Sequence, residues 1–486
     1  MKAIDHVKGS REFLASEKHQ TFLDQRLWSL RQLRDAQMKA HPEWQQLRTL
    51  ASQIKEHTLT HLDRYLEMFE RNALANGVKV HWAKDAAAHN RIVYEILAAH
   101  KVKTLVKSKS MLTEECDMRP YLAARGIDVI ETDLGERIQQ LDDEMPSHIV
   151  VPAVHKLAID VARVFADHLG TDPDNADPHY LAGQQRDKTR PQILQAEAGM
   201  TGCNFAVAET GTVTVCTNEG NADLSANVPN LHLVSIGIEK MVPAMADLGV
   251  FIRLLSRSAL GSPITQYTSH FRAPRQGGEM HYILVDNGRS ARLAMEDFWY
   301  SLKCIRCSAC MNTCPVYRRS GGISYGAVYS GPIGAIINPT MDLKKYSTLP
   351  FASTLNGSCT QVCPVRINIH EQIFKWREIV ARNNELPFAK RSAMKAAGKI
   401  LASPTLYRAV VDTANAVVPK LPRILLYNPL NAWGEAREIP ASPRQSFHRW
   451  YLEHRRNQKA QGKPAATPPT SVSPDDQTSR KDKNDE

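Results

Sequence analysis

Residues 304–315 read CIRCSACMNTCP, a C-x2-C-x2-C-x3-C-P run. Three thiolates at this pitch on one tight loop can wrap an iron–sulfur cube. The fourth, followed by Pro, has left the loop and serves the other cluster where two are present. Such a pairing requires a second half-motif, and NGSCTQVCP at 356–364 ends in the same C-x3-C-P. By this crossing rule Cys304, Cys307, Cys310 and Cys363 hold one [4Fe–4S] cluster, and Cys314 and Cys359 contribute to a second. Zinc also accepts four thiolates but favours paired C-x2-C knuckles. The triple run therefore points to iron and sulfide.

The second half is incomplete. Laid over the first, STLNGSCTQVCP puts Ser353 and Asn356 where Cys304 and Cys307 stand. Two [4Fe–4S] clusters are expected, but the second lacks two of its four obvious sulfur ligands. A labile or three-iron cluster, non-cysteine ligands, and no second cluster all remain open. Cys116, Cys203 and Cys216 are scattered upstream. One of them could reach in, although a buried structural thiol is the plainer reading of each. The opening MKAIDHVKGSREF lacks the apolar stretch of a signal peptide, so nine cysteines argue for reduced thiols in a cytoplasmic protein rather than disulfides.

Other residues could bind or react. Lys107, Ser108, Lys109 and Ser110 follow a predicted strand, where α/β sheets open their ligand crevice. Two cations and two hydroxyls suit a carboxylate or phosphate, and a solvated loop is the alternative. Asn218 and Glu219 close a later apolar strand and can line the same crevice. Glu209, in AETGTV, sits at a Gly turn between two strands. It is a weak candidate nucleophile, and a turn carboxylate bound to backbone N–H groups is the simpler assignment. His148, His155, His270 and His281 are dispersed and receive no role. No G-x-G-x-x-G follows a strand, so a nicotinamide or flavin Rossmann site has no support.

The elements that must position these groups follow from apolar periodicity. Residues 1–75 read as helical, with apolar residues at three- and four-residue spacing in LDQRLWSLRQLRDAQ and LTHLDRYLEMFERNALANG. From about 78, VKVHWA, KTLVKS, IDVIETD and HIVVPAV read as buried strands separated by helices, which implies an α/β layer with parallel strands over 76–298. A helical cluster-binding segment over 299–385 and a basic C-terminal segment over 386–456 follow. Residues 457–486, rich in Pro, Ser, Lys and Asp, read as a disordered tail. The uncharged run 320–341 is too polar and too broken by Gly and Pro for a membrane span and reads as a packed or covering loop.

Composition agrees with a soluble globular chain: 43% apolar and 23% charged residues, with 61 Lys+Arg against 51 Asp+Glu. Nearly all of the +10 excess falls after residue 364. That region interleaves acids and lacks aromatic stacking motifs, so nucleic acid is not the expected partner. An acidic electron-transfer partner or an anionic membrane face suits it better.

The string VKSKSMLTEE (106–115), IETDLGERIQQL (130–141), HIVVPAVHK (148–156), GMTGCNFAVAETGTVTVCTNEGN (199–221), the two cysteine half-motifs and NPLNAWG (428–434) resembles a known family. This is the LutB-type iron–sulfur subunit of the three-component L-lactate utilisation system. The resemblance implies a LUD domain, related in fold to the sugar-phosphate isomerase and CoA-transferase α/β group, then a ferredoxin-type segment and a short C-terminal domain. It also implies partner subunits and a role in oxidising L-lactate to pyruvate. Relatives often carry CGAC where this chain has NGSC, so the departure at Asn356 bears on the second cluster. The expected function is electron transfer within that complex. The alternative is a stand-alone LUD enzyme acting on an acyl or phosphorylated substrate, with structural clusters.

Overall fold

Short β-branched runs bounded by turns become strands wherever both faces can be buried, and this accounts for the centre of the molecule. The computed structural model describes residues 4–427, 437–438, 441–443 and 445–460. NPLNAWG at 428–434 and residues 461–486 of the expected tail lie outside the described residues. The strands are β1 (Lys79–Ala83), β2 (Thr104–Lys107), β3 (Asp128–Glu131), β4 (Ala198–Thr201), β5 (Phe205–Val207), β6 (Thr212–Thr217), β7 (Leu231–Gly237), β8 (Met241–Val242), β9 (Tyr267–Phe271) and β10 (Glu279–Val285).

Six of them form an all-parallel sheet in the order β1-β10-β7-β4-β2-β3. After β2 the chain moves outward to β3, then returns to place β4 on the other side of β2. The β2/β4 boundary is therefore the topological switch point, where connections leave in opposite directions and a crevice opens beyond the strand C-termini. The other four strands make a small mixed sheet, β8-β5-β6-β9.

Two sequence expectations are corrected. HIVVPAV forms no strand; residues 148–155 run as bends and turns. The His148 ring accepts the Val150 and Val151 N–H groups through Nδ1, both at 3.1 Å, and thereby competes with strand pairing. The run 320–341 is not simply a loop, because it contains helix Gly331–Met341, buried from Gly331 to Pro339. Among the described residues no helix is long and apolar enough to cross a membrane.

The described residues up to Glu385 form one compact unit in which the helical cysteine segment shares its core with the N-terminal helices. Helix Glu17–Lys39 packs on Ala309–Thr313 and Pro315–Ser320, and Trp44–Thr60 packs on Met245–Ala259 and the 3-10 turn Trp299–Lys303. Helix Ile369–Arg382 packs on Gly331–Met341, and its Trp376 stacks on Phe298 at 4.1 Å.

The second unit starts at Leu386. Its helices Phe388–Ala402 and Pro404–Val417 pack on each other, yet neither contains a buried residue. Phe388, Leu401, Tyr407 and Val410 stand exposed among basic side chains.

The AETGTV hairpin turn shows why its glycine is required. Asn72 donates to Ala208 O and Glu209 O, and Asn76 donates to Thr210 O, which press the turn onto helix Leu62–Ala75. Gly211 has φ +64°, and a Cβ there would meet Ala73 N at 2.5 Å. Gly277 also has positive φ (+74°), but a Cβ there meets nothing within 4 Å. Gly277→Ala should therefore cost only the left-handed strain, about 1–2 kcal/mol. Gly211→Ala should cost about 1–3 kcal/mol more from the clash. Paired denaturant titrations measure the difference.

Candidate functional site

The cysteine loop coils because two of its residues accept the left-handed conformation. Arg306 has φ 61° and Ser308 φ 63°, so the chain turns between successive cysteines and directs them to one side. Cys304, Cys307, Cys310 and Cys363 line one cavity, walled by Ile149, Ile305, Ile333, Val365 and Ile367. Helices Ala309–Thr313 and Ser358–Val362 pack together and bring the two half-motifs into contact.

Sulfur in this region receives backbone N–H groups. Arg306 N donates to Cys304 Sγ at 3.4 Å, Ile367 N to Cys363 Sγ at 3.4 Å and Tyr317 N to Cys314 Sγ at 3.5 Å. Such bonds stabilise thiolate charge and tune cluster potential. Burial alone acts the other way: it pushes the Cys359 thiol up to about 12 and raises Cys307 and Cys310 further from the usual thiol range. A metal overrides this, because a coordinating thiol is deprotonated outright.

Among the described residues no three His, Cys, Asp or Glu side chains converge on a single-ion point. A cube demands something different, since each thiolate takes its own iron and the sulfurs stand apart around a shared volume. Three buried thiols and the half-buried Cys304 around one apolar cavity are donors of the kind a [4Fe–4S] cube takes.

Cys314 lies close enough to Cys359 to add to the upward push that burial gives the Cys359 thiol. Their neighbours Thr313 and Ser358 share a hydroxyl hydrogen bond of 2.5 Å. Ser353 and Asn356 are engaged in local turns: Ser353 Oγ accepts Leu355 N and Asn356 Oδ1 accepts Ser358 N, both at 3.1 Å. Cys203 and Cys216 line the neighbouring crevice rather than the cysteine cavity, and Cys116 lines neither.

Two buried arginines fix the second half-motif. Arg48 donates to Cys363 O at 2.7 and 3.0 Å and to Gln361 O at 2.7 Å, while Arg34 donates to Val362 O at 3.2 Å. Both come from the N-terminal helices, so that region is part of the centre's frame.

A second cavity, about 290 Å³, opens at the strand C-termini. Ser108, Lys109 and Ser110 follow β2, Gly202 to Asn204 follow β4, Glu239 and Lys240 follow β7, and Arg289 follows β10. Of the expected residues, Ser108, Lys109, Ser110, Asn218 and Glu219 come together here.

Lys107 and Glu209 do not. Strand alternation turns Lys107 to the opposite face, where its ammonium sits 2.9 Å from Glu131, 3.5 Å from Glu114 and 3.6 Å from Glu136. Burial works against its charge, but the three carboxylates outweigh burial and raise its pKa. Glu209 accepts the Met245 N–H at 2.9 Å, at the start of helix Met245–Ala259. Its carboxylate therefore caps a helix outside the crevice.

Residues that sequence reasoning passed over complete the crevice. Arg289 bonds both Glu115 oxygens, at 2.8 and 2.9 Å, and reaches Glu239 at 2.5 Å. Burial alone would raise Glu239, but Arg289, with Lys240 and Arg306, holds its carboxyl far below the usual range. Arg306 belongs to the cysteine loop yet lines both cavities, as does Ile149. The signal in the sequence was a cation directly after an apolar strand (IEK) and one inside CIRC.

His148 ties the two regions. With Nδ1 accepting two amides, its Nε2–H donates to Asn312 Oδ1 at 2.9 Å, in the cysteine helix. Burial pushes it down to about 3. Above pH 6.5 the ring is neutral in folded and unfolded chains and this contribution is complete. Below 6.5 only the unfolded chain takes the proton, so stability falls by up to about 1.4 kcal/mol per pH unit until the folded ring titrates. Unfolding titrations between pH 7 and 5 should lose that part of their slope in His148→Gln.

The comparisons with known proteins follow this anatomy. A LUD domain model matches residues 66–289, a 4Fe-4S dicluster domain model 300–367, and a model described as lactate utilisation protein B, C-terminal, 371–456. Lactate utilization protein B of Geobacillus thermodenitrificans is 43% identical over 87% of this chain and 90% of its own. That of Geobacillus kaustophilus is 43% identical over 84% and 88%. A crystal structure of a duf162 family protein from Deinococcus radiodurans aligns with 46% of this chain and 98% of its own. Its 13% identity and TM-score of 0.27 are too low to bear on the fold.

Proposed function

The chain belongs to the lactate utilization protein B family, and from that premise we propose that it is the electron-transfer subunit of a multi-component system oxidising L-lactate to pyruvate. Its iron–sulfur character follows from the dicluster domain. The observation that carries the reading is the lining of one buried cavity by Cys304, Cys307, Cys310 and Cys363, from two segments far apart in the chain. We assign these four to the first [4Fe–4S] cluster and Cys314 and Cys359 to an incomplete second one.

Bound there, a cluster would supply one-electron relay. The chain's own residues would exclude water through the isoleucine walls, stabilise thiolate charge through backbone N–H groups, and hold the two loops in register through Arg34 and Arg48. Lactate gives up two electrons, so the relay needs a two-electron site in the complex, and partner subunits are part of the proposal. The basic helices of 386–456, with their exposed apolar side chains, support contact with an acidic partner or the inner membrane face, in a cytoplasmic setting. The stand-alone enzyme reading loses support, because Glu209 is a helix cap outside the crevice.

Iron and acid-labile sulfide per chain after anaerobic purification, with electron paramagnetic resonance of the reduced protein, test the assignment. About four irons mark one cube and about eight mark two. Cys307→Ser and Cys363→Ser should each remove one cube's iron and abolish lactate-dependent electron flow, whereas Glu209→Gln should leave both. Zinc in place of iron, or full iron content in Cys363→Ser, overturns the reading.

A further inference from the structure

Helix Trp44–Thr60 carries Arg48, Ser52 and Lys55 at i, i+4 and i+7, which places them on one face, and all three are buried. Such a face ordinarily holds apolar residues, because a guanidinium or ammonium loses its hydration there. The same face meets the cysteine segment. Arg48 grips Cys363 O through Nε at 3.0 Å and Nη2 at 2.7 Å. Lys303, the buried residue before Cys304, donates to Ser52 Oγ at 2.8 Å.

The partners of these cations are mostly neutral. Arg48 donates to Cys363 O, Gln361 O and Gln45 Oε1. Lys55 donates to Glu239 O and, at 3.2 Å, to Met241 O. Among the described residues neither has a carboxylate oxygen within ion-pair distance. Lys303 has one, on the half-buried Glu56 at 3.6 Å. Arg34, which also bonds this segment, is neutralised by Asp35 at 2.7 Å.

A neutral amide can donate to a carbonyl at a lower desolvation cost, so charge retained at Arg48 and Lys55 needs another reason. Burial opposes it, pulling Arg48 down to about 10 and Lys55 to about 8. Cys363 favours the charge on Arg48, and Glu239 with Cys304 favours that on Lys55. Four thiolates outweigh the positive charge of an iron–sulfide core. A loaded cavity is therefore an anion, and one added electron makes it more negative.

We propose that Arg48 and Lys55 are the counter-charges of the first cluster and favour its reduced state. This role rests on the cluster assignment above and adds to it the sign of a charge effect. Buried charge is screened little, so a cation beside an anionic centre stabilises the form holding the extra electron and raises the midpoint potential. Arg48 is thus a positioning residue for the 361–363 carbonyls with a second, electrostatic role.

A redox titration of the iron-loaded full chain tests this, with dithionite as the electron source and electron paramagnetic resonance as the readout. Arg48→Gln keeps an amide donor for the carbonyls and removes the charge, whereas Arg48→Lys keeps the charge and gives up the fork. Lys55→Gln removes a charge whose hydrogen bonds go to neither cysteine loop. Arg48→Gln and Lys55→Gln should each disfavour the reduced state by about threefold or more, a midpoint about 28 mV more negative for a one-electron couple. Arg48→Lys should shift by less than half as much.

Equal shifts in Arg48→Gln and Arg48→Lys, with Lys55→Gln unmoved, mark a clamp without a charge role and overturn the inference. Should Arg48→Gln lose its iron, Lys55→Gln decides: a negative shift upholds the counter-charge role and an unmoved potential overturns it. An unsubstituted chain that holds no iron overturns the cluster assignment and this role with it. A loaded chain whose potential ignores both neutral substitutions overturns this role alone, so the two failures are distinguishable.

Discussion

Four sulfur atoms must face one volume although three come from a loop at 304–310 and the fourth from residue 363. Several features of the first unit serve that constraint. Left-handed residues coil the first loop, helix packing brings the second half-motif alongside, and two arginines from the N-terminal helices take the carbonyls at Gln361, Val362 and Cys363. Hydrogen bonds from a charged donor to buried carbonyls are worth more than neutral ones, and they are costly to break because both sides stay desolvated. The helices at 17–60 are thus part of the frame around the cysteine cavity rather than an appendage to it.

The parallel sheet contributes the second half of the design. Its switch point between β2 and β4 opens a crevice whose walls come from the loops after four strands. The His148 loop and Arg306 form a partition common to this crevice and the cysteine cavity. The arrangement explains why an α/β domain and a cysteine segment, separable as sequence models, share one core.

Much of this was legible from residue types alone. The cysteine spacing singled out the six clustered thiols, four of which line one cavity, and apolar runs located the parallel strands, because both signals are local. What failed was decided by tertiary partners. HIVVPAV has strand composition, yet a buried imidazole takes two of its amides. Lys107 and Ser108 are adjacent in the text and opposite in space, since one strand residue changes the face. Lys240, Arg289 and Arg306 look like ordinary surface cations, and only the fold reveals that they are interior charges around a cavity. The turn at Glu209 was better described by its modest reading, a carboxylate on backbone N–H groups.

Five of the six clustered cysteines belong to the same hydrophobic core as Leu23, Leu27, Trp44 and Ile336. Thiols embedded in that packing are harder to reach once it has closed. On the proposed assignment, iron and sulfide would enter most readily while the N-terminal helices are still loose, which would make loading a part of maturation. A chain that closed without them would hold neutral thiols in an apolar interior and would have to loosen that packing to be loaded later.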